Sequence, residues 1–145
     1  MLVARKLVAR LLSDTGGNVL PMAAMTVVVM AAIVGGAVDM SRAYRVQNRL
    51  QNACDSGVLA GRRAVTTNGF DSNAEAQARR YFNVNFDPSQ QGTNQTTFLL
   101  ASDNAGNSIG GKASTQMPLL MMQIFGKMDM TLTANCQSTM GVGNS

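Results

Sequence analysis

From Thr15 to Val38 the chain carries no charged residue, and between Val19 and Val38 only Pro21, Thr26, Gly35 and Gly36 fall outside the apolar set. Twenty residues of helix rise about 30 Å, the thickness of a bilayer's hydrocarbon core. A segment this apolar must be covered by protein or by lipid. The rest of the chain is too polar to enclose it, since 14% of the 145 residues are charged and 5% are aromatic. The pattern therefore predicts a transmembrane helix over 19–38, with Pro21 in a first turn that tolerates a missing N–H. A cleaved secretory signal is the alternative. Its apolar region is shorter, about 7–15 residues, and ends at a small-x-small site, for which Gly35-Gly36-Ala37 is a loose match.

Arg5, Lys6 and Arg10 flank one side of the span, and Arg42, Arg45 and Arg49 flank the other, so the positive-inside count is nearly even. The long polar chain after the span must lie wholly on one side. A short basic leader, 1–18, retained in the cytoplasm is the ordinary solution.

The residue inventory narrows function as well. With no His among 145 residues, His-based triads and His-ligated metals are excluded, and two cysteines alone do not build a structural zinc site. No paired carboxylates stand out for glycoside chemistry. The twelve basic residues are scattered and no aromatics interleave with them, so a nucleic-acid surface is not expected. The reading is of a non-enzyme without cofactor, metal site or small-molecule substrate.

Helical periodicity continues past the span. Val46, Leu50, Ala53, Gly57, Ala60 and Ala64 recur at steps of three and four, with Asn48, Gln51, Asp55 and Arg62 opposite, Cys54 and Gly61 on one flank, and Val58 and Leu59 off the stripe. Residues 39–66 are thus expected to be an amphipathic extension of the same helix, ended by Thr66-Thr67-Asn68-Gly69 with Gly69 as a left-handed cap. A second helix over 74–82 is capped by Ser72 or Asn73. Residues 87–94 read as a turn-rich loop. Three strands follow, at 96–101, 108–117 and 128–137, the last alternating Met128, Met130, Leu132, Ala134 and Cys136 with polar residues. Pro118 and Gly126 bracket an apolar turn between the second and third. Met121, Met122, Met128 and Met130 are expected in the core rather than in a metal set. The fold class is α+β: a long N-terminal helix whose outer half packs on a small antiparallel sheet. Residues 67–145 form the small α+β domain.

This outline is pilin-like, and particular residues sharpen the likeness. Gly17-Asn18-Val19, Ala37-Val38-Asp39, Arg42-Ala43-Tyr44, Leu50-Gln51-Asn52-Ala53-Cys54-Asp55 and Gly57-Val58-Leu59-Ala60 together resemble TadG-like proteins, of the TadE/TadG group in the tight-adherence (Flp) pilus assembly system. The resemblance is strongest over residues 16–65. It implies a single-pass protein of the bacterial inner membrane with its C-terminal domain in the periplasm. It further implies pilus assembly proteins or pilins as partners beside the lipid bilayer, and leader cleavage between Gly17 and Asn18. Pilins of this system and TadE-type pseudopilins carry a glutamate five residues after the cleaved glycine, where this chain has Met22. The metal-coordinating D-x-S-x-S motif of many TadG-like proteins does not occur in this sequence, so no metal-dependent adhesion is carried over. The stand-alone alternative is a membrane-tethered extracytoplasmic binding module that recruits a partner through an exposed sheet edge.

Five residues mark the membrane exit. Asp39 reads either as an ordinary interfacial charge or as a partner for a neighbouring subunit or for Arg42 one turn on. Tyr44 reads as an interfacial anchor or as packing against the domain. Gly35 and Gly36, with Ala32, offer a small-residue face for helix contacts in lipid. Cys54 and Cys136 fall on or beside apolar faces of the long helix and the last strand. They are either bridged, if the domain lies outside the cytoplasm, or two buried thiols.

Overall fold

A computed structural model describes residues 5–6, 9–10, 19–103, 105–126 and 128–140. One helix, α1 (Val19–Arg63), runs unbroken for 45 residues, close to 70 Å. It is followed by α2 (Ser72–Asn85), a single turn α3 (Pro88–Gln91), and strands β1 (Asn94–Ser102), β2 (Ser108–Pro118) and β3 (Asp129–Thr139). The strands form one antiparallel sheet in the order β1-β2-β3. A 3-10 turn, Met122–Phe125, connects β2 to β3.

The two halves of α1 differ because their side chains have different neighbours. Val19, Met22, Met25, Val27, Met30, Ile33 and Val34 are all more than 55% exposed, and this half is long and apolar enough to cross a bilayer. From Ala43 onward the helix lies against β2 and β3 on one side and α2 on the other. That double contact widens its buried arc beyond the expected stripe. Val58, predicted off the stripe, is 1% exposed, and Cys54 and Gly61 are buried, while Ala60 and Ala64 are only half-buried.

The core sits between the helices and one face of the sheet. Alternation in β2 turns Ile109, Ala113, Thr115 and Met117 inward, and Leu132, Ala134 and Cys136 of β3 face the same way. The polar member, Thr115, is satisfied: its hydroxyl lies 2.8 Å from Thr96 Oγ1 and 3.2 Å from the Asn94 carbonyl. Three glycines let the layers meet. A Cβ on Gly57 would lie 2.9 Å from the Phe98 ring, one on Gly61 3.0 Å from Ala78 Cβ, and one on Gly111 2.8 Å from Val58.

The second helix and the strands extend a little beyond their sequence-based bounds, whereas α1 stops at Arg63, short of the expected residue 66. Asp71, rather than Ser72 or Asn73, caps α2, its Oδ1 accepting from the Ala74 N–H at 2.9 Å. Asp87 likewise caps Pro88–Gln91, a short helix where a loop was expected. Gly69 is left-handed (φ 75°), but it closes a Thr66–Gly69 turn rather than capping α1. Of the four methionines expected in the core, Met121 and Met128 are exposed and Met122 and Met130 only partly buried. Met117 is the methionine that is fully enclosed.

Both outer edges of the sheet are engaged by helix side chains. Gln47 and Gln51 of α1 donate to the Thr133 and Asn135 carbonyls of β3 at 2.8 and 3.0 Å, and Arg79 of α2 donates to the Phe98 carbonyl of β1 at 2.8 Å. These side chains stand over the outer edges and hinder another strand from pairing at those positions.

Candidate functional site

Four of the five residues singled out at the membrane exit, Gly35, Gly36, Asp39 and Arg42, converge on the connection between β2 and β3. Residues 119–128 fold into a short apolar turn whose base is closed by the Leu119 N–H donating to the Met128 carbonyl at 2.9 Å. Gly126, in the left-handed region (φ 83°), ends the 3-10 turn and returns the chain to β3.

Asp39 fastens this turn to α1. Its carboxylate accepts from three consecutive backbone N–H groups: Leu120 at 3.1 Å, Met121 at 3.0 Å and Met122 at 2.8 Å. Successive amides at the head of a 3-10 turn have no partners inside it, and an anion satisfies them as it would the first turn of an α-helix. The side chain is 2% exposed and covered by the turn itself. The expectation of an open interfacial charge is thereby corrected. Arg42 lies close enough to help electrostatically, but its guanidinium donates to the Pro118 carbonyl at 3.4 Å, anchoring the other end of the same connection.

Gly35 and Gly36 complete the clasp. A Cβ on Gly35 would stand 3.0 Å from Met121 Cβ, and one on Gly36 3.6 Å from Met122 Sδ. The small-residue face expected to meet another helix is thus occupied, at these two positions, by the chain's own turn. Tyr44 is 68% exposed and does not pack against the domain. Gly17 and Asn18, the expected cleavage positions, lie outside the described residues.

The Met122 amide is the main influence holding the Asp39 carboxyl below its ordinary value of 3.8, opposed by desolvation and aided by the Leu120 and Met121 amides and by Arg42. A carboxyl depressed in the folded state contributes stability that is present above its unfolded pKa and lost as pH falls through the folded one. The clasp should therefore loosen on acidification below 3.8 and hold at neutral pH. Asp39→Asn should weaken it at neutral pH and remove its dependence on acid, because the amide lacks charge and keeps one acceptor oxygen. Hydrogen exchange of the Leu120–Met122 amides should quicken at least about tenfold while the Ile109 and Ala113 amides stay protected. Unchanged exchange at residues 120–122 would contradict this role.

Cys54 of α1 and Cys136 of β3 are brought together and bonded, with their Cα atoms 5.8 Å apart and Gly111 directly beside Cys136. The bond ties the helix to the third strand at the middle of the core. Among the described residues no group of three or more His, Cys, Asp or Glu is placed to hold a metal ion.

Sequence reasoning singled out Gly35, Gly36, Asp39 and Arg42 but not where Asp39 points. Its partners lie about eighty positions away and are backbone amides, which carry no sequence signal of their own.

A comparison with known families gives a match to part of the chain. The Tad family model, described as Flp pilus-assembly TadE/G-like, covers residues 17–78. That stretch includes Gly35, Gly36, Asp39 and Cys54, all of α1 and the first half of α2, but neither the sheet nor the 119–128 turn. No curated protein and no solved structure gives a significant match.

Proposed function

From the likeness of residues 17–78 to Tad pilus-assembly proteins, we propose that this chain is a non-catalytic, membrane-anchored component of Flp pilus assembly. In this reading residues 1–18 stay in the cytoplasm and 19–38 cross the inner membrane. Residues 39–66 rise as the helical extension, and 67–145 complete a periplasmic domain. The arrangement is pilin-like in the sense that one helix serves first as membrane anchor and then as the spine of a small sheet. The observation that carries the reading is the change of character along α1. Its first half exposes nearly every apolar side chain, and its second half buries them against the domain without a break between.

The partners that fit are pilins or assembly proteins with helices in the same bilayer, met laterally by the uncovered face of α1, and periplasmic components met by the domain. An oxidising periplasm suits the Cys54–Cys136 bond. A stand-alone module that recruits by strand addition fits less well, because helix side chains stand over the outer edges of β1 and β3.

In a strain that makes these pili, the chain should resist carbonate extraction from membranes, and protease added to spheroplasts should remove the domain while sparing an N-terminal tag. Deleting it should abolish or shorten filaments, with restoration in trans. Normal filaments in the deletion strain would sink the assembly role, and a carbonate-soluble chain would sink the anchor. Intact mass of the membrane form decides the route: a start at Asn18 makes it a processed, pseudopilin-like subunit, and a start at Met1 makes it a permanent anchor.

A further inference from the structure

We propose that the 119–128 turn is a second membrane contact, dipping its apolar tip into the lipid of the outer face beside α1; this rests on the reading of residues 19–38 as the span. Position comes first. The turn is docked on Gly35 and Gly36, in the last turn of the charge-free stretch, and on Asp39 just past it, and Gly35 lies about 6 Å on the membrane side of Asp39 along the helix axis. Whatever medium surrounds the end of the span also surrounds the turn.

Composition comes second. Apart from Gln123 and Lys127, residues 119–128 carry apolar side chains or none. Leu120 (55% exposed), Ile124 (82%), Phe125 (48%) and Met128 (61%) find no cover in the domain. Arg42, Arg45 and Arg49 follow on α1 within about 15 Å of Asp39, where anionic headgroups would meet them.

Third is the backbone. A loop in contact with hydrocarbon must satisfy its own N–H groups. Asp39 takes those of Leu120, Met121 and Met122. Those of Leu119, Ile124 and Gly126 donate to the Met128, Met121 and Gln123 carbonyls. Six of its amides are thus closed off without water. An ordinary solvent-facing loop has no need of that.

The chain has no Trp, so a single introduced one reports its surroundings alone. The full chain would be reconstituted in phosphatidylcholine–phosphatidylglycerol vesicles whose acyl chains carry bromine both near the headgroup and near the chain end. Three variants are compared: Val29→Trp in the span, Ile124→Trp at the tip, and Leu99→Trp, 63% exposed on β1. The expected result is blue-shifted emission lost to bromine for the first two, and water-exposed, bromine-insensitive emission for the third. If Val29→Trp is quenched and Ile124→Trp is not, the turn stays in water and the proposal fails while the span survives. If neither is quenched, the span fails and takes the proposal with it. Equal quenching of Leu99→Trp would mean that the whole domain lies on the surface, which also overturns it. Blue-shifted Ile124→Trp emission that ignores bromine and fades on dilution would assign the tip to a second copy.

Discussion

Replacing Cys54 and Cys136 together by alanine is expected to lower the unfolding free energy of the domain by roughly 4–5 kcal/mol. The reasoning is about the unfolded chain. The bond spans 82 positions, so cutting it releases a long loop and much conformational entropy. Little else compensates, because a domain of this size buries a modest core. In detergent, the urea midpoint of the oxidised chain should fall markedly on adding reductant, and the double variant should sit near the reduced value and ignore reductant. Alkylation of the denatured chain without reductant should add no mass. Two alkyl groups added there would mean the thiols are free in the cell, and an unmoved midpoint would mean that the bond stabilises nothing.

Phe98→Ala is expected to cost about 3–5 kcal/mol. The Phe98 ring is where three elements meet. It stacks on Phe82 of α2 with centroids 4.3 Å apart and planes at 6°, and it fills the space left by Gly57 of α1 and Gly111 of β2. Both glycines sit opposite that ring, so truncation leaves a hole that neither can close. Leu99 is the next residue of β1 and points to solvent, 63% exposed. Leu99→Ala should stay within about 0.5 kcal/mol. Urea midpoints of the two variants test the pair, and similar midpoints would mean that β1 does not present the face described here.

Much of this architecture was readable from local pattern alone. The third strand was plain because Leu132, Ala134 and Cys136 alternate with polar residues that solvate its other face. The extent of α1 was plain because nothing between Pro21 and Arg63 forces a break, and the turn between β2 and β3 because Pro118 and Gly126 bracket it. What pattern could not supply was anything decided by two distant segments at once. Val58 looked misplaced on a single stripe because the stripe assumes one neighbour, and α1 has two. Asp71, Ser72 and Asn73 are all good caps, and only the geometry of the first turn chooses among them. The glycine pair at 35 and 36 read as an open helix face because small residues look alike whether they await a partner or already hold one.

The clasp at Gly35, Gly36 and Asp39 has a mechanical consequence. Two adjacent glycines are where a long helix would bend most easily, and bending there would let the domain sway independently of its anchor. The turn packs over that weak point through Met121 and Met122, while its polar anchors, Asp39 and Arg42, both lie on the domain side of it, so the helix is buttressed there. In the proposed membrane-anchored reading, α1 buttressed in this way acts as a lever about 70 Å long with its fulcrum at the bilayer surface. A tilt of about 10° in the membrane would swing the far end of the spine, near Arg63, through several ångströms, and a push on the domain would be felt by whatever touches the helix in lipid.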